Sequence, residues 1–366
     1  MADIVRPTLV IDKDVCLNNI ERMINKTNEH KLRFRPHFKT HQSAKVGDWF
    51  KLYGVEAITV SSVKMAEYFA SNGWDDITLA FPLNILEINH IKRLAAKIKL
   101  NVLIESKEAA ELLVKETTAT TGVYINIDTG YNRSGILASR TGVIDSVVRI
   151  LAKNKKMKFK GFLNHTGNTY HAKSTNEIFS RHFDALLKMK ALKQRFQKDY
   201  PDIEISMGDT PSSTLATNFQ GVDEIRPGNF VFFDLMQQNL GVCGFNDIAM
   251  RLVCPVVSKH ASRNEVVIYG GAAHLSKESI TNINGKKMFG RIEITNDGKK
   301  ELLEPLNYVS KLSQEHGTLK VTQNQFKKFN IGDLMEIIPV HSCLAANEMG
   351  YFQTRDGNII EMMPKY

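Results

Sequence analysis

Short apolar runs alternate with amphipathic stretches through the first two-thirds of the chain. Runs rich in β-branched and aromatic residues fall at 31–35, 56–60, 76–80, 99–104, 123–128, 158–163, 204–207 and 224–230. Between them, apolar positions recur at helical spacing, for example over 62–71, 86–96, 106–116, 144–152 and 176–197. The pattern predicts eight strands, each but the last followed by a helix. Alternating β and α elements imply a parallel sheet. Eight repeats in about 220 residues fit a TIM-type (β/α)8 barrel, with a doubly wound open sheet as the competing arrangement. Beyond about Gly241 the pattern changes. The segments 247–258, 264–269, 288–295, 318–321 and 333–341 read as strands without intervening helices. Asn282-Ile283-Asn284-Gly285 and Asn296-Asp297-Gly298 are turn signals between them. A mainly antiparallel β domain is expected there. The predicted organisation is a barrel over 12–240 and a β domain over 241–366, joined by the N-terminal segment 1–11 through a strand at 8–11.

Composition narrows the function classes. The chain of 366 residues is 43% hydrophobic and 24% charged, as in ordinary globular proteins. Its formal charge of +9 comes from dispersed lysines and arginines, densest at 153–160 and 188–198. The second run is the basic face of an amphipathic helix. No aromatic-interleaved basic motif marks a nucleic-acid partner. No apolar stretch of about 18 residues marks a membrane span. The cysteines Cys16, Cys243, Cys254 and Cys343 have no paired spacing. A reducing cytoplasm is the expected location.

Candidate chemistry gathers after the predicted strands, where barrel enzymes keep it. Arg35-Pro36-His37-Phe38-Lys39-Thr40-His41 follows the first. In an extended segment Arg35, His37, Lys39 and His41 share one face. Cationic neighbours lower a lysine's pKa, and a partly neutral lysine is a nucleophile able to form a Schiff base. The alternative is a solvated basic strand end. His165-Thr166-Gly167-Asn168-Thr169-Tyr170-His171 follows the sixth strand, Met207-Gly208-Asp209-Thr210-Pro211-Ser212 the seventh, and Arg226-Pro227-Gly228-Asn229 interrupts the eighth. Glycines there let backbone N–H groups approach a ligand, and phosphate binds in that part of many barrels. Gly208, Asp209, Thr210, Gly228 and Asn229 are the candidates, although Gly-Thr-Pro-like runs also make ordinary turns. In Pro339-Val340-His341-Ser342-Cys343, a strand would point His341 and Cys343 the same way. Imidazole and thiolate suit zinc, and two protein ligands leave open positions, as at a catalytic metal. A buried structural pair is the other reading.

Together these segments resemble the eukaryotic-type D-serine dehydratase and D-threonine aldolase family, of alanine-racemase-like fold. The likeness also includes Phe230-Val231-Phe232 and Ser313-Gln314-Glu315-His316-Gly317. The resemblance implies pyridoxal phosphate held covalently by Lys39 and a divalent metal, zinc by preference, on His341 and Cys343. It places Arg133 at the cofactor's ring oxygen and Tyr170 against the ring. His165 either orients the ring or is a satisfied core histidine. The implied reaction is D-serine dehydration, with Lys39 removing the α-proton and the metal activating the β-hydroxyl. Aldol cleavage of a β-hydroxy D-amino acid to glycine and an aldehyde is the alternative. Less favoured are a non-catalytic cofactor carrier and a racemase. Family dimers imply a homodimer. Two departures stand out. Phe38 occupies a position that is usually small or aliphatic, and Tyr269-Gly270-Gly271-Ala272-Ala273-His274-Leu275-Ser276 replaces an Asp-containing stretch.

Overall fold

A computed structural model describes residues 4–296 and 299–365, so Asp297 and Gly298 of the expected turn lie outside the described residues. Eight parallel strands form one sheet: β1 (Arg33–Phe34), β2 (Ala57–Val60), β3 (Asp76–Pro82), β4 (Lys99–Ile104), β5 (Thr121–Asp128), β6 (Met157–Asn164), β7 (Glu204–Met207) and β8 (Glu224–Ile225). Sequential neighbours pair from β2 to β8, and β8 pairs with β1 through Glu224↔Arg33. The ring closes where His37 bridges Thr59 of β2. There the Phe38 N–H donates to the Thr59 carbonyl and the Thr59 N–H to Pro36, each at 2.9 Å. Closure decides for the barrel over the open sheet.

Strands covered on both faces must be apolar almost throughout. Val102, Ile104, Val123 and Ile125 are accordingly fully buried. Ser62, Ser106 and Ser174 cap the helices Val63–Ser71, Lys107–Glu116 and Thr175–Phe196, each side chain accepting a backbone N–H of the first turn. Two strands are shorter than the apolar runs suggested. β8 stops at Ile225 instead of continuing to residue 230, because Pro227 has no N–H for the ladder. Asn229–Val231 is a 3-10 turn. β1 likewise stops at Phe34, and residues 38–41 form a turn.

Backbone contacts divide the chain into two units. The first, Glu21–Lys39 with Gly47–Gly228, contains the barrel. The second comprises Met1–Ile20, Thr40–Val46 and Asn229–Tyr366. The chain thus changes unit at Gly228–Asn229 rather than at the expected 240–241. The reason is packing in the intervening segment. Phe232 meets Phe352 at 5.3 Å between ring centroids and its carbonyl accepts the Ala249 N–H, all within the second unit.

In the second unit, Met250–His260 pairs antiparallel with both Glu265–Tyr269 and Leu334–Pro339. With His316–Lys320, Tyr308–Leu312 and Gly290–Asn296 these strands make a closed ring. The N-terminal strand Thr8–Ile11 pairs antiparallel with Met250–His260 and parallel with Tyr351–Thr354.

Candidate active site

Lys39 sits on a turn anchored by its neighbour. Phe38 is fully buried, with ring centroids 5.1 Å from Phe50 and 5.0 Å from both Phe69 and Trp74. Gly47 makes room for it, since a Cβ there would lie 3.1 Å from the Phe38 ring. The large residue at 38 is therefore an anchor under the turn, while Lys39 is exposed. The alternating face expected for Arg35, His37, Lys39 and His41 does not form. Arg35 is buried, bonding Glu224 through Nε at 2.7 Å and Asp76 through Nη1 at 2.5 Å. His41 follows the turn into the second unit, where burial pushes it down to about 3 and its Nδ1 accepts the Ser43 N–H.

His37 does stay with Lys39. Its Nδ1 accepts the Lys39 backbone N–H at 3.4 Å, so the neutral ring carries its proton on Nε2. Burial, then the charges of Lys39 and Arg226, then His165 and Arg133, hold it well below the usual histidine range. His165 lies in the same field. Burial lowers it to about 3, helped by Lys39 and Arg133 and opposed by the bond to Gly208. Its Nδ1 lies 2.5 Å from the Gly208 carbonyl. A carbonyl only accepts, so Nδ1 carries the proton and Nε2 keeps its lone pair. Two neutral imidazoles thus sit among three cations.

The loop after β5 is shaped by Asp128, whose carboxylate accepts the N–H groups of Gly130, Tyr131 and Asn132. Tyr131 lies on Gly167, where any Cβ would come within 2.3 Å of its ring. The Arg133 guanidinium stacks over that ring at 5.1 Å. After β7, Asp209 caps the helix Thr210–Leu215, accepting from the Ser212 N–H and hydroxyl and from the Thr169 hydroxyl. Burial raises its pKa against those bonds. Both of its oxygens are occupied, so Asp209 shapes the loop. Tyr170 accepts the Thr210 N–H at 3.1 Å. The Thr210 hydroxyl is buried with no protein partner. An orphaned hydroxyl costs stability unless a ligand meets it. The cluster, cationic and offering a hydroxyl, therefore fits the phosphate and ring of pyridoxal phosphate.

The glycine at 208 has its own reason. A Cβ there would lie 3.1 Å from Cβ of Arg226 and 3.2 Å from its guanidinium. Arg226, like Tyr131 and Asp128, is a site residue whose role the sequence alone does not show. Its signal was the Arg-Pro-Gly motif itself.

The second unit holds the remaining candidates. Leu334–Pro339 ends before His341, and Cys343 lies in the helix Ser342–Met349. The shared strand face expected for His341 and Cys343 is thus replaced by an extended residue at the mouth of a helix. Asp234 sets this geometry, its carboxylate accepting the Ser342 N–H at 2.9 Å and the Asn229 amide at 2.7 Å. Asn229 also donates to Ser342 Oγ at 2.9 Å and to Cys343 Sγ at 3.6 Å. Its amide hydrogens therefore serve this cluster, while its Oδ1 is buried without a protein partner. The Cys343 thiol donates to Thr40 Oγ1 at 3.3 Å, and Thr40 follows Lys39 in the chain. Nδ1 of His341 is buried without a protein partner, which fits a metal ligand. No group of three or more His, Cys, Asp or Glu is placed to hold a metal among the described residues. Further ligands would come from outside this set, as at an open catalytic site.

Comparison with known proteins follows the same two parts. Residues 11–235 match the alanine racemase N-terminal domain, and residues 249–354 match the family described as "Putative serine dehydratase domain". The chain belongs to the alanine-racemase-like, fold-type III family. Within the family it is similar to D-threo-3-hydroxyaspartate dehydratase of Delftia sp. (strain HT23), 28% identical with 96% of this chain and 95% of that one covered. The structure of that enzyme superposes with a TM-score of 0.91 at 25% identity, over 100% of this chain and 99% of that one. A metal-free form of a cysteine variant of it is also similar. D-serine dehydratase of Dictyostelium discoideum is 28% identical, over 93% of this chain and 90% of that one. D-threonine aldolase from Filomicrobium marinum shares the fold, with a TM-score of 0.84 at 20% identity over 99% of this chain and 96% of that one.

Proposed function

We propose that this chain is a D-serine dehydratase dependent on pyridoxal phosphate and zinc. At the coarser level it is a pyridoxal-phosphate-dependent lyase that dehydrates β-hydroxy D-amino acids. The observation that carries the reading is the match of residues 249–354 to the serine dehydratase domain, which contains His341 and Cys343. A barrel-only cofactor carrier leaves that domain without a purpose.

Bound pyridoxal phosphate supplies the electron sink for loss of the α-proton. Lys39 would hold it covalently, and the Thr210 hydroxyl with the Gly208 loop would receive the phosphate. His165, Tyr170, Arg133 and the Gly228 backbone would hold the rest of the group. Neutral His37 fixes the Lys39 backbone through Nδ1. Once substrate has displaced it from the cofactor, the Lys39 amine would take the α-proton. Zinc on His341 and Cys343 would act as a Lewis acid on the departing β-hydroxyl. Thiolate and imidazole favour zinc over magnesium or manganese. We read the working form as a cytoplasmic homodimer. Among the described residues no helix is long and apolar enough to cross a membrane.

The test supplies zinc, pyridoxal phosphate and, separately, D-serine, D-threo-3-hydroxyaspartate and D-threonine. Pyruvate and ammonia from D-serine are expected, with L-serine inert. Oxaloacetate formed from hydroxyaspartate alone would move the substrate. Glycine and acetaldehyde from D-threonine, with D-serine untouched, would replace dehydration by aldol cleavage.

A further inference from the structure

We propose that Glu224, acting through Ser206, is a positioning residue that holds the Arg226 guanidinium at the mouth of the barrel. The proposal rests on reading that mouth as the cofactor site. Glu224 and Ser206 are fully buried and face each other in the β8–β7 register. The Ser206 hydroxyl donates to Glu224 Oε1 at 2.7 Å and accepts Arg226 Nε–H at 2.7 Å. A hydroxyl has one proton, so both of its roles point the same way and the relay has one sense. Arg226 Nη2 donates to the Asn164 carbonyl at 2.5 Å. The side chain also fills the space that Gly208 leaves open. Nothing in this chain of contacts is exposed, so the guanidinium has one position.

The same chain of contacts keeps the cation. Burial lowers Arg226 to about 10, and Glu224 is the first group opposing that fall. The other groups bearing on it are Tyr124, Arg35 and Asp209, with His37 and His165 above. Both histidines are neutral at and above neutral pH, so they add no charge in the alkaline range. Glu224 is shared with Arg35, whose second partner is Asp76. That sharing separates positioning from plain stability. Asp76→Asn weakens the hold on Arg35 without touching the relay.

The experiment compares wild type, Glu224→Gln, Ser206→Ala, their double variant and Asp76→Asn. Cofactor-free protein is titrated with pyridoxal phosphate by absorbance. The loaded protein is scanned spectrally, and thermal unfolding is recorded. Glu224→Gln and Ser206→Ala should each weaken uptake about tenfold, the loss expected for one buried bond to a charged group. Each should also change the absorbance spectrum of the loaded protein, because the guanidinium no longer has one position. The double variant should be no worse than the poorer single one. Asp76→Asn should unfold at lower temperature with uptake and spectrum unchanged. Ser206→Ala keeps the Arg35–Glu224 pair and so remains informative if Glu224→Gln does not fold. Wild-type uptake and spectrum retained in Ser206→Ala, or equal changes in Asp76→Asn, would overturn the proposal alone. A wild-type protein that takes up no pyridoxal phosphate overturns the cofactor reading and this proposal with it.

Discussion

The two ends of the barrel use the same charged residues to opposite ends. At the N-terminal ends of the strands Arg33, Arg35, Lys99 and Lys160 each meet a carboxylate. Arg33 bonds Glu204, Arg35 bonds Asp76 and Glu224, Lys99 reaches Asp76 at 2.5 Å, and Lys160 reaches Glu204 at 3.0 Å. A cavity of about 770 Å³ opens among Arg33, Arg35, Asp76, Lys99 and Glu224. At the C-terminal ends, Lys39, Arg133 and Arg226 stand with two neutral histidines. The nearby carboxylates of Asp128 and Asp209 are turned to backbone N–H groups. Where charges are paired and buried, removing one partner strands the other and destabilises the fold. Clustered cations with their carboxylates turned aside hold a positive potential for an anionic ligand. Arg35 and His37 are two residues apart, yet they belong to different ends of this division.

The sharpest way to break the contrast is at Lys39. Lys39→Ala should abolish covalent cofactor and lower turnover at least about 10³-fold, within the range for loss of a positioned general base. Absorbance near roughly 410–430 nm, as expected for a bound imine, should vanish while the unfolding temperature holds. Borohydride fixation mapping to another lysine would remove Lys39 from its role.

Next in size is the metal. Chelation, or Cys343→Ala, should cost turnover about 10²–10³-fold, the several kcal/mol of a Lewis acid. Metal content should fall with cofactor absorbance and secondary structure intact. Cys343→Asp should bind manganese in place of zinc, since carboxylate is the harder ligand. Secondary structure lost together with the metal would make it structural instead.

The same contrast explains what was legible in the sequence. β4 and β7 coincide with their apolar runs, Lys99–Ile104 and Glu204–Met207, because parallel strands buried on both faces are apolar throughout. The ends of β1 and β8 were misjudged, because apolarity continues past the last ladder bond into Phe38 and Phe230, both buried in other packing. Local periodicity does not carry that information. Lys39, His165, Tyr170 and Thr210 were visible as motifs after strands, and the barrel unit brings them into one neighbourhood. Asp209 and Asn229 are visible too, but the sequence does not say that the Asp209 carboxylate accepts from Ser212 or that the Asn229 amide hydrogens go to Asp234 and Ser342. The strand geometry assumed for His341 and Cys343 failed for a similar reason. Asp234 lies over a hundred residues away in the chain, and its carboxylate starts the helix at Ser342.

At the N-terminal end the expected loss is one of stability. Arg35→Met takes the charge partner of buried Glu224 and one of two from half-buried Asp76, which keeps Lys99, and removing one side of a buried pair costs up to about 3–5 kcal/mol. The unfolding midpoint in urea should fall accordingly, with the affinity for pyridoxal phosphate reduced far less than in Glu224→Gln. Equal losses of affinity in both would merge the two ends into one functional network.

The smallest effect concerns acid. Burial alone would raise the Glu204 carboxyl, but hydrogen bonds from Arg33 and Tyr124, the Arg33 charge and Lys160 overcome it and hold the group at about 2. Its side chain is only 13% exposed, so solvent screens these contacts little. A carboxylate whose folded value is depressed stabilises the protein above its unfolded value, near 4.3. That contribution is lost as pH falls from about 4.5 towards 2, and is on the order of 3 kcal/mol at most. Urea midpoints measured between pH 7 and 3 should therefore fall with acid, and more steeply in the wild type than in Glu204→Gln. The variant starts lower at neutral pH, having lost the pairing with Arg33 and Lys160, and should approach the wild type as acid removes the same charge. His37 and His165, held neutral in the fold, also take up protons on unfolding below about pH 6.5 and lower stability in acid, but equally in both proteins, so the difference between the two curves reads Glu204 alone. Parallel curves for wild type and Glu204→Gln would mean that Glu204 is no deeper an acid than a surface carboxylate.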